Sequence, residues 1–433
     1  MLTDHALLNG PRRDQQAFWL LMLCGLVILG AGLGLRDPWP ADEPRFALIA
    51  KQMVESGQWL FPFRGGEIYP DKPPMFMWAI ALFYSLTGSL RVAFLMPSLL
   101  AGLGTLALVF DIARRVWDRA TAFRAGLLLL FTVSLSVGVA DFSWRNLFAM
   151  PDEWQLLLTS RLPRTFAIVL TGASMAVAGM ILQILMKNRF IEPSMVGATQ
   201  SASLGLLLMA LLFPAATLMV KMSVAAAAAL AGMLVFMLLI RRLPPTAQLM
   251  VPLVGIIFGS IIESAAVFVA YETETLQLLS VWHLGDFSGV LLGRYELLWL
   301  AGLLALAAYL IADRLTILGL GETVSINLGL NRQTILWAGL VIVALITSLV
   351  VVTVGGIPFI GLVVPNIVSR LVGDKLRQSL PAVALLGAVL VLSCDIIGRL
   401  IRYPFEIPVA TVFGVLGTVL FLALLMKRSG HAV

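Results

Sequence analysis

Long apolar runs broken by short polar stretches dominate this chain, and the apolar positions follow one another rather than alternating with polar ones. Such runs read as helices, not strands. They predict helices at Phe18–Leu35, Pro74–Leu86, Val92–Phe110, Leu127–Val139, Thr165–Met186, Met195–Phe213, Leu218–Ile240, Ala247–Ala270, Leu297–Ala312, Ile335–Thr353, Leu362–Val372, Ala382–Ile397 and Pro408–Leu425. Crossing hydrocarbon takes about 20 apolar residues. Only a helix or a closed barrel satisfies its own backbone there. The expected fold is therefore all-α and polytopic. Between the runs, Asp37–Pro73 and Ala140–Gln155 read as polar loops. Within the first of these, Pro44–Ser56 is amphipathic and suited to a membrane surface.

Composition agrees. Of 433 residues 60% are hydrophobic and 12% charged, about half the charged fraction of a soluble domain. The net charge of +6 does not point to nucleic acid, because short basic loops set membrane topology. Lys187, Arg189, Arg241, Arg242, Arg314, Arg332, Arg370, Lys375, Arg377, Lys427 and Arg428 fall on one side if every later segment crosses, and that side is expected to be cytoplasmic. Arg161, Arg164, Arg399 and Arg402 fall on the other side, against the rule. The first third fits this parity poorly: the cluster from Arg114 to Arg124 lands outside if each earlier run crosses. A re-entrant segment or a fusion of two unrelated pieces accounts for that, and a fusion is favoured. Cys24 and Cys394 lie far apart in apolar stretches, and His5, His283 and His431 are isolated. No metal site is expected. No GxxxxGK[ST] phosphate loop occurs, so ATP hydrolysis needs another chain.

Polar motifs punctuate the later runs in a definite order. They are Ser160-Arg161-Leu162-Pro163-Arg164, Asn188-Arg189-Phe190-Ile191-Glu192-Pro193, the segment from Gly319 to Gly329, the segment from Gly355 to Asn366, and Asp395-Ile396-Ile397-Gly398-Arg399. On these motifs residues 126–433 resemble the permease subunit of bacterial iron-chelate ABC importers, a family that includes vitamin B12 importers. The resemblance implies a bundle of about ten helices in the bacterial inner membrane. It implies two permease copies or paralogues around a pore, an ABC ATPase subunit carrying ATP and Mg, and a periplasmic siderophore-binding protein; the chain itself binds no cofactor. It assigns Gly319, Leu320, Gly321, Glu322, Ser325, Asn327, Leu328 and Gly329 to short paired helices that dock on the ATPase. It assigns Arg161, Arg164 and Arg399 to glutamates of the binding protein, a task for which the planar guanidinium fork is suited. Gly355, Gly356, Pro358, Gly361, Pro365 and Asn366 form a Gly/Pro interruption of the kind that borders a pathway. Many members carry His after that Pro; Asn366 is a departure shared with the subset handling catecholate chelates. Gly172, Gly179 and Gly205 read as close helix packing.

Residues 1–125 resemble a different family. Ala41-Asp42-Glu43-Pro44-Arg45-Phe46, Glu55-Ser56-Gly57-Gln58-Trp59 and Tyr69-Pro70-Asp71-Lys72-Pro73-Pro74 are similar to the first periplasmic loop of lipid-linked-sugar glycosyltransferases of the aminoarabinose type. That likeness makes Asp42 or Glu43 a carboxylate for activating an acceptor and Lys72 a phosphate contact. The bundle and soluble domain of such enzymes are missing, so these are vestigial positions. The expected function is ferric-siderophore import, catecholate chelates favoured; a cobalamin or haem permease, or a glycosyltransferase, are the alternatives.

Overall fold

The polar punctuation decides where the helices stop. In the computed structural model the described residues are 43–64, 66–69, 74–116, 151–240, 250–293, 295–401 and 405–426, with scattered positions between 15 and 38 and between 128 and 135. Asp42, Lys72, Arg241, Arg242, Arg402, Lys427, Arg428 and most of Leu127–Val139 lie outside the described residues. The chain divides into two units, Met1–Ser143 with Ile396–Ile407, and Trp144–Asp395 with Pro408–Val433.

The first unit holds α1 (Glu43–Ser56), a small hairpin of β1 (Phe63–Arg64) and β2 (Glu67–Ile68), α2 (Met75–Thr87), α3 (Leu90–Ala93) and α4 (Met96–Val116). Helix α1 is the amphipathic stretch expected at a membrane surface, but its apolar face meets protein. Ala47 and Ala50 pack with Ile80, Ala81 and Phe94, while Ile49 and Met53 pack with Tyr69 and Met77. The hairpin, with Phe63 opposite Ile68, sits in the segment expected to be a loop. Helix α2 has 13 residues, about 20 Å of rise, too short to cross the roughly 30 Å hydrocarbon core alone.

The second unit contains α5 (Pro151–Leu156), a π turn (Leu157–Arg161), α6 (Leu162–Leu185), a 3₁₀ turn (Pro193–Val196), α7 (Ala198–Leu212), α8 (Leu218–Ile240), α9 (Met250–Glu272) and α10 (Leu276–His283). It continues with α11 (Leu297–Leu310), α12 (Ala312–Gly319), α13 (Glu322–Asn327), α14 (Arg332–Val354), α15 (Ile360–Val372), α16 (Leu376–Ile401), whose residues from Ile396 onward belong to the first unit, and α17 (Val409–Met426). Among the described residues of the chain, six helices are long and apolar enough to cross a membrane, or seven if the pair α11–α12, bent by 63°, is one span. The fold is all-α and multi-pass.

Burial separates the spans. The span Trp154–Leu185 is 72% buried within its most apolar stretch, against 22% for α9. The glycines explain how the α6 helix is admitted to the centre. A Cβ on Gly172 would stand 2.5 Å from the Gly387 carbonyl oxygen, and one on Gly179 would stand 2.1 Å from that of Gly361. On α7, Gly205 faces Ala228 of α8 in the same way. In contrast α9 turns Leu253, Ile256, Ile257, Ile261 and Phe268 outward, a surface compatible only with lipid or another apolar partner.

Candidate functional site

The first expected start of a span fails by about four turns. The run read as beginning at Thr165 is preceded by helix from Pro151, so the Ser160–Arg164 motif lies inside a helix and not in a loop. Its cause is Pro163, which has no N–H for the Thr159 carbonyl one turn back. The backbone widens there, with Leu162 N–H donating to Leu157 O five residues earlier. The Thr159 carbonyl is taken instead by the Leu292 N–H at 3.0 Å. This places Arg161 in the π turn, 7% exposed, and Arg164 on the first turn of α6. Nε and Nη2 of Arg164 both donate to Asp395 Oδ1, at 3.2 and 2.7 Å. Asp395 comes from α16 and belongs to the Asp395-x-x-x-Arg399 motif. In the other unit, Arg399 donates to Ser134, at 3.2 Å to its carbonyl and 2.9 Å to its hydroxyl. The three arginines expected as rim charges are thus held by groups of the chain itself or buried.

A second proline builds the centre of the site. Helix α14 ends at Val354, and Gly355 follows at φ +87, a left-handed value that glycine alone adopts freely. The ends freed by this break are satisfied by the last turn of α10 and the loop after it: Asp286 N–H donates to Val354 O at 2.9 Å and Gly356 N–H donates to Trp282 O at 3.1 Å. Pro358 and Phe359 complete the break, and α15 begins at Ile360. Inside α15, Pro365 cannot donate to the Gly361 carbonyl; that oxygen accepts from Gln183 Nε2 of α6 at 3.1 Å. Asn366 donates through Nδ2 to Leu362 O at 2.7 Å and to Arg189 O at 2.8 Å. One of these bonds stays within α15 and the other ties α15 to the turn after α6. Arg189 in turn meets Asp374 at 2.7 Å.

The segment from Gly319 to Gly329 starts at the end of one helix and holds a second, shorter one. Helix α12 ends at Gly319 and α13 runs from Glu322 to Asn327, with Gly321 at φ +121 between them. Ser325 is fully buried and donates to Gly321 O at 2.6 Å and to Ile317 O at 3.2 Å, which locks the two helices together. Leu320, Ile326 and Leu328 are 65%, 60% and 60% exposed. A rigid element that turns leucines and isoleucine outward beside polar residues has the character of a contact surface. Next to it lies a cleft of about 590 Å³ lined by Lys187, Arg189, Thr316, Leu320, Ser369 and Lys375 among others. Arg377 anchors the neighbourhood, 2.6 Å from Asp313 and 5.8 Å from the centre of the Tyr309 ring.

In the first unit, Glu43 opens α1, while the other two vestigial positions, Asp42 and Lys72, lie outside the described residues. Among the described residues no group of three His, Cys, Asp or Glu is placed to hold a metal ion. Glu192 is the functional candidate that the motifs named only as a letter in a string. Its signal was an acid directly before a proline in an otherwise apolar stretch.

Comparison with known proteins places this geometry. The chain is 45% identical over 307 residues to the petrobactin import system permease protein YclN of Bacillus subtilis, covering 71% of this chain and 97% of that one. It is 39% identical over 305 residues to the ferric-anguibactin transport system permease protein FatD of Vibrio anguillarum, covering 70% and 97%. It is 33% identical over 331 residues to the vitamin B12 import system permease protein BtuC of Vibrio cholerae, covering 72% and 95%. Its fold is similar, at TM-score 0.60 and 24% identity, to a solved chain described as an inward-facing conformation of a metal-chelate type ABC transporter, covering 70% of this chain and 98% of that one. The model of the FecCD transport family matches residues 126–427, and this chain belongs to the FecCD transport family.

Proposed function

We propose that residues 126–427 work as the permease subunit of an ABC importer that carries a ferric siderophore across the bacterial inner membrane. The observation that carries this is the stapled pair α12–α13, whose exposed Leu320, Ile326 and Leu328 form a stiff apolar lever on the face that the basic loops assign to the cytoplasm. The chain has no phosphate loop of its own, so that lever meets a separate ABC ATPase holding ATP and Mg. A second permease copy or paralogue completes the pore. Gly355, Gly356, Pro358, Gly361, Pro365 and Asn366 form the break along the pathway. Arg161, Arg164 and Arg399, the cations that run against the topology rule, are proposed to receive carboxylates of a periplasmic siderophore-binding protein, which requires Arg164 to exchange Asp395 and Arg399 to exchange Ser134 for the incoming acids. Petrobactin and anguibactin in the names of the relatives support a ferric siderophore as cargo, catecholate chelates preferred over cobalamin or haem.

Residues 1–125 are proposed to be a glycosyltransferase-like segment without catalytic activity, since the likeness is carried only by the stretch from Ala41 to Pro74 and fades by about residue 130. One experiment addresses both halves: uptake of ferric petrobactin by cells lacking their own permease, with a cognate ATPase and binding protein supplied. The full chain and a version starting at residue 126 are compared. Uptake by the full chain is expected. No uptake by either version overturns the transport reading, and sugar transfer abolished by Glu43→Ala overturns the inactive-segment reading.

A further inference from the structure

Glu192 is 2% exposed, in the turn between α6 and α7. It accepts from the Phe359 backbone N–H at 3.0 Å, across 167 positions of sequence, and from Ser194 Oγ at 2.5 Å. The Leu362 N–H donates to the Phe359 carbonyl at 3.1 Å and lies close enough to the carboxyl to help stabilise its charge. Phe359 is a non-glycine residue at φ +67, a conformation that bulky side chains rarely take. It is also the residue immediately before α15, and its own side chain cannot cap that helix. The first amides of a helix have no partner within it, and a carboxylate is favoured there by the helix dipole. Glu192 therefore supplies to α15, from a distant segment, the cap that its own sequence lacks. Two further ties join the same bodies: Gln183 to the Gly361 carbonyl and Asn366 to the Arg189 carbonyl. The position of Phe359 matters beyond this, since a Cβ on Gly417 of α17 would come within 2.9 Å of its Cβ.

We infer that Glu192 is a positioning residue for transport: it fixes where α15 begins and binds α15 to the end of α6 as one moving body, so that the flexing point of the pathway is the stretch Gly355–Phe359. This rests on the reading that the chain is a permease whose pathway borders that break. Alanine at 192 removes the cap, glutamine keeps an acceptor without the charge, and aspartate keeps the charge one methylene shorter and perturbs the interior least.

Two readouts separate the latch from the transport reading. Hydrogen exchange in the purified full chain follows the amides of Phe359 and Leu362. Ferric petrobactin uptake per ATP hydrolysed is measured in vesicles holding the full chain with its ATPase and binding protein. Glu192→Ala is expected to speed exchange at those two amides by about tenfold, the factor that corresponds to losing one buried hydrogen bond. It is expected to lower uptake per ATP by a similar factor while ATP hydrolysis persists. Glu192→Gln is expected to stay close to wild type in both, and Glu192→Asp to fall between. Unchanged exchange in the alanine and aspartate variants overturns the latch. Faster exchange with undiminished uptake per ATP overturns its part in transport. Equal loss in the glutamine and alanine variants also overturns it, because a cap needs only the acceptor. A wild-type chain that moves no substrate overturns the permease reading, and exchange still decides the latch.

Discussion

Single residues settle the local geometry here, and two prolines do so in the same manner. Pro163 and Pro365 each leave one carbonyl without its helical donor, and in each case a distant donor arrives: Leu292 N–H for Thr159, Gln183 Nε2 for Gly361. Replacing Gln183 with Leu leaves a buried carbonyl unpaired and is expected to cost about 1–3 kcal/mol, read as a lower unfolding midpoint in detergent. Gly179→Ala is expected to cost about 1–3 kcal/mol as well, through overpacking, because its Cβ would fall on the Gly361 backbone. Burial raises the Glu192 carboxyl above its ordinary value of 4.5, against the opposing pull of Ser194 and of the Phe359 and Leu362 backbone N–H groups. The folded chain then holds that proton more tightly than the unfolded one. Stability should rise as pH falls from above the raised value toward 4.5 and level off below it. A thermal melt series over that window should lose this slope in Glu192→Gln, and an unaltered slope would mean that another group is responsible. The prolines were visible in the sequence; the donors that answer them come from more than a hundred positions away and were not.

At the scale of elements, the Gly319–Gly329 segment and the arginine motif behaved differently. The resemblance implied short paired helices in that segment, and α12 and α13 meet there, stapled by Ser325. Changing Leu320, Ile326 and Leu328 together to Ser should leave the melting behaviour of the isolated chain nearly untouched, since exposed positions contribute little. It should abolish co-purification with the ATPase. The arginine motif was expected in a loop and occurs in helix, since a π turn accommodates Pro163 without ending the span. Arg164 consequently points at Asp395, whose side chain is fully buried. Arg164→Ala is expected to destabilise by about 3–5 kcal/mol, because it removes a paired charge from a buried carboxylate, whereas Arg164→Met with Asp395→Leu should cost much less. Equal losses in the single and double variants would show that the pair is not coupled. Any test of docking by charge reversal at Arg164 has to be compared with this structural loss.

For the whole molecule, hydropathy alone established an all-α membrane protein, and the order of polar motifs established its family. Both are written locally: solvation of apolar runs needs no tertiary information, and Gly, Pro and Arg leave signatures at fixed offsets. Whether the first 125 residues help or hinder is a whole-molecule question, and the version starting at residue 126 should retain uptake if they are an appendage. The amphipathic helix α1 shows the limit of local reading. Its apolar face suited a membrane surface equally well, and only packing against Met77 and Ile80 decided its neighbour. In the same way nothing in the run of letters around Glu192 names Phe359. Apolar runs and Gly/Pro punctuation were enough for the main helices, the break at Gly355–Phe359 and the transport family, but not for the helix that runs through Ser160–Arg164. The tertiary structure alone decided which buried donors and acceptors meet across those breaks, because a hydrogen bond between segments distant in the chain depends on packing that no local pattern encodes.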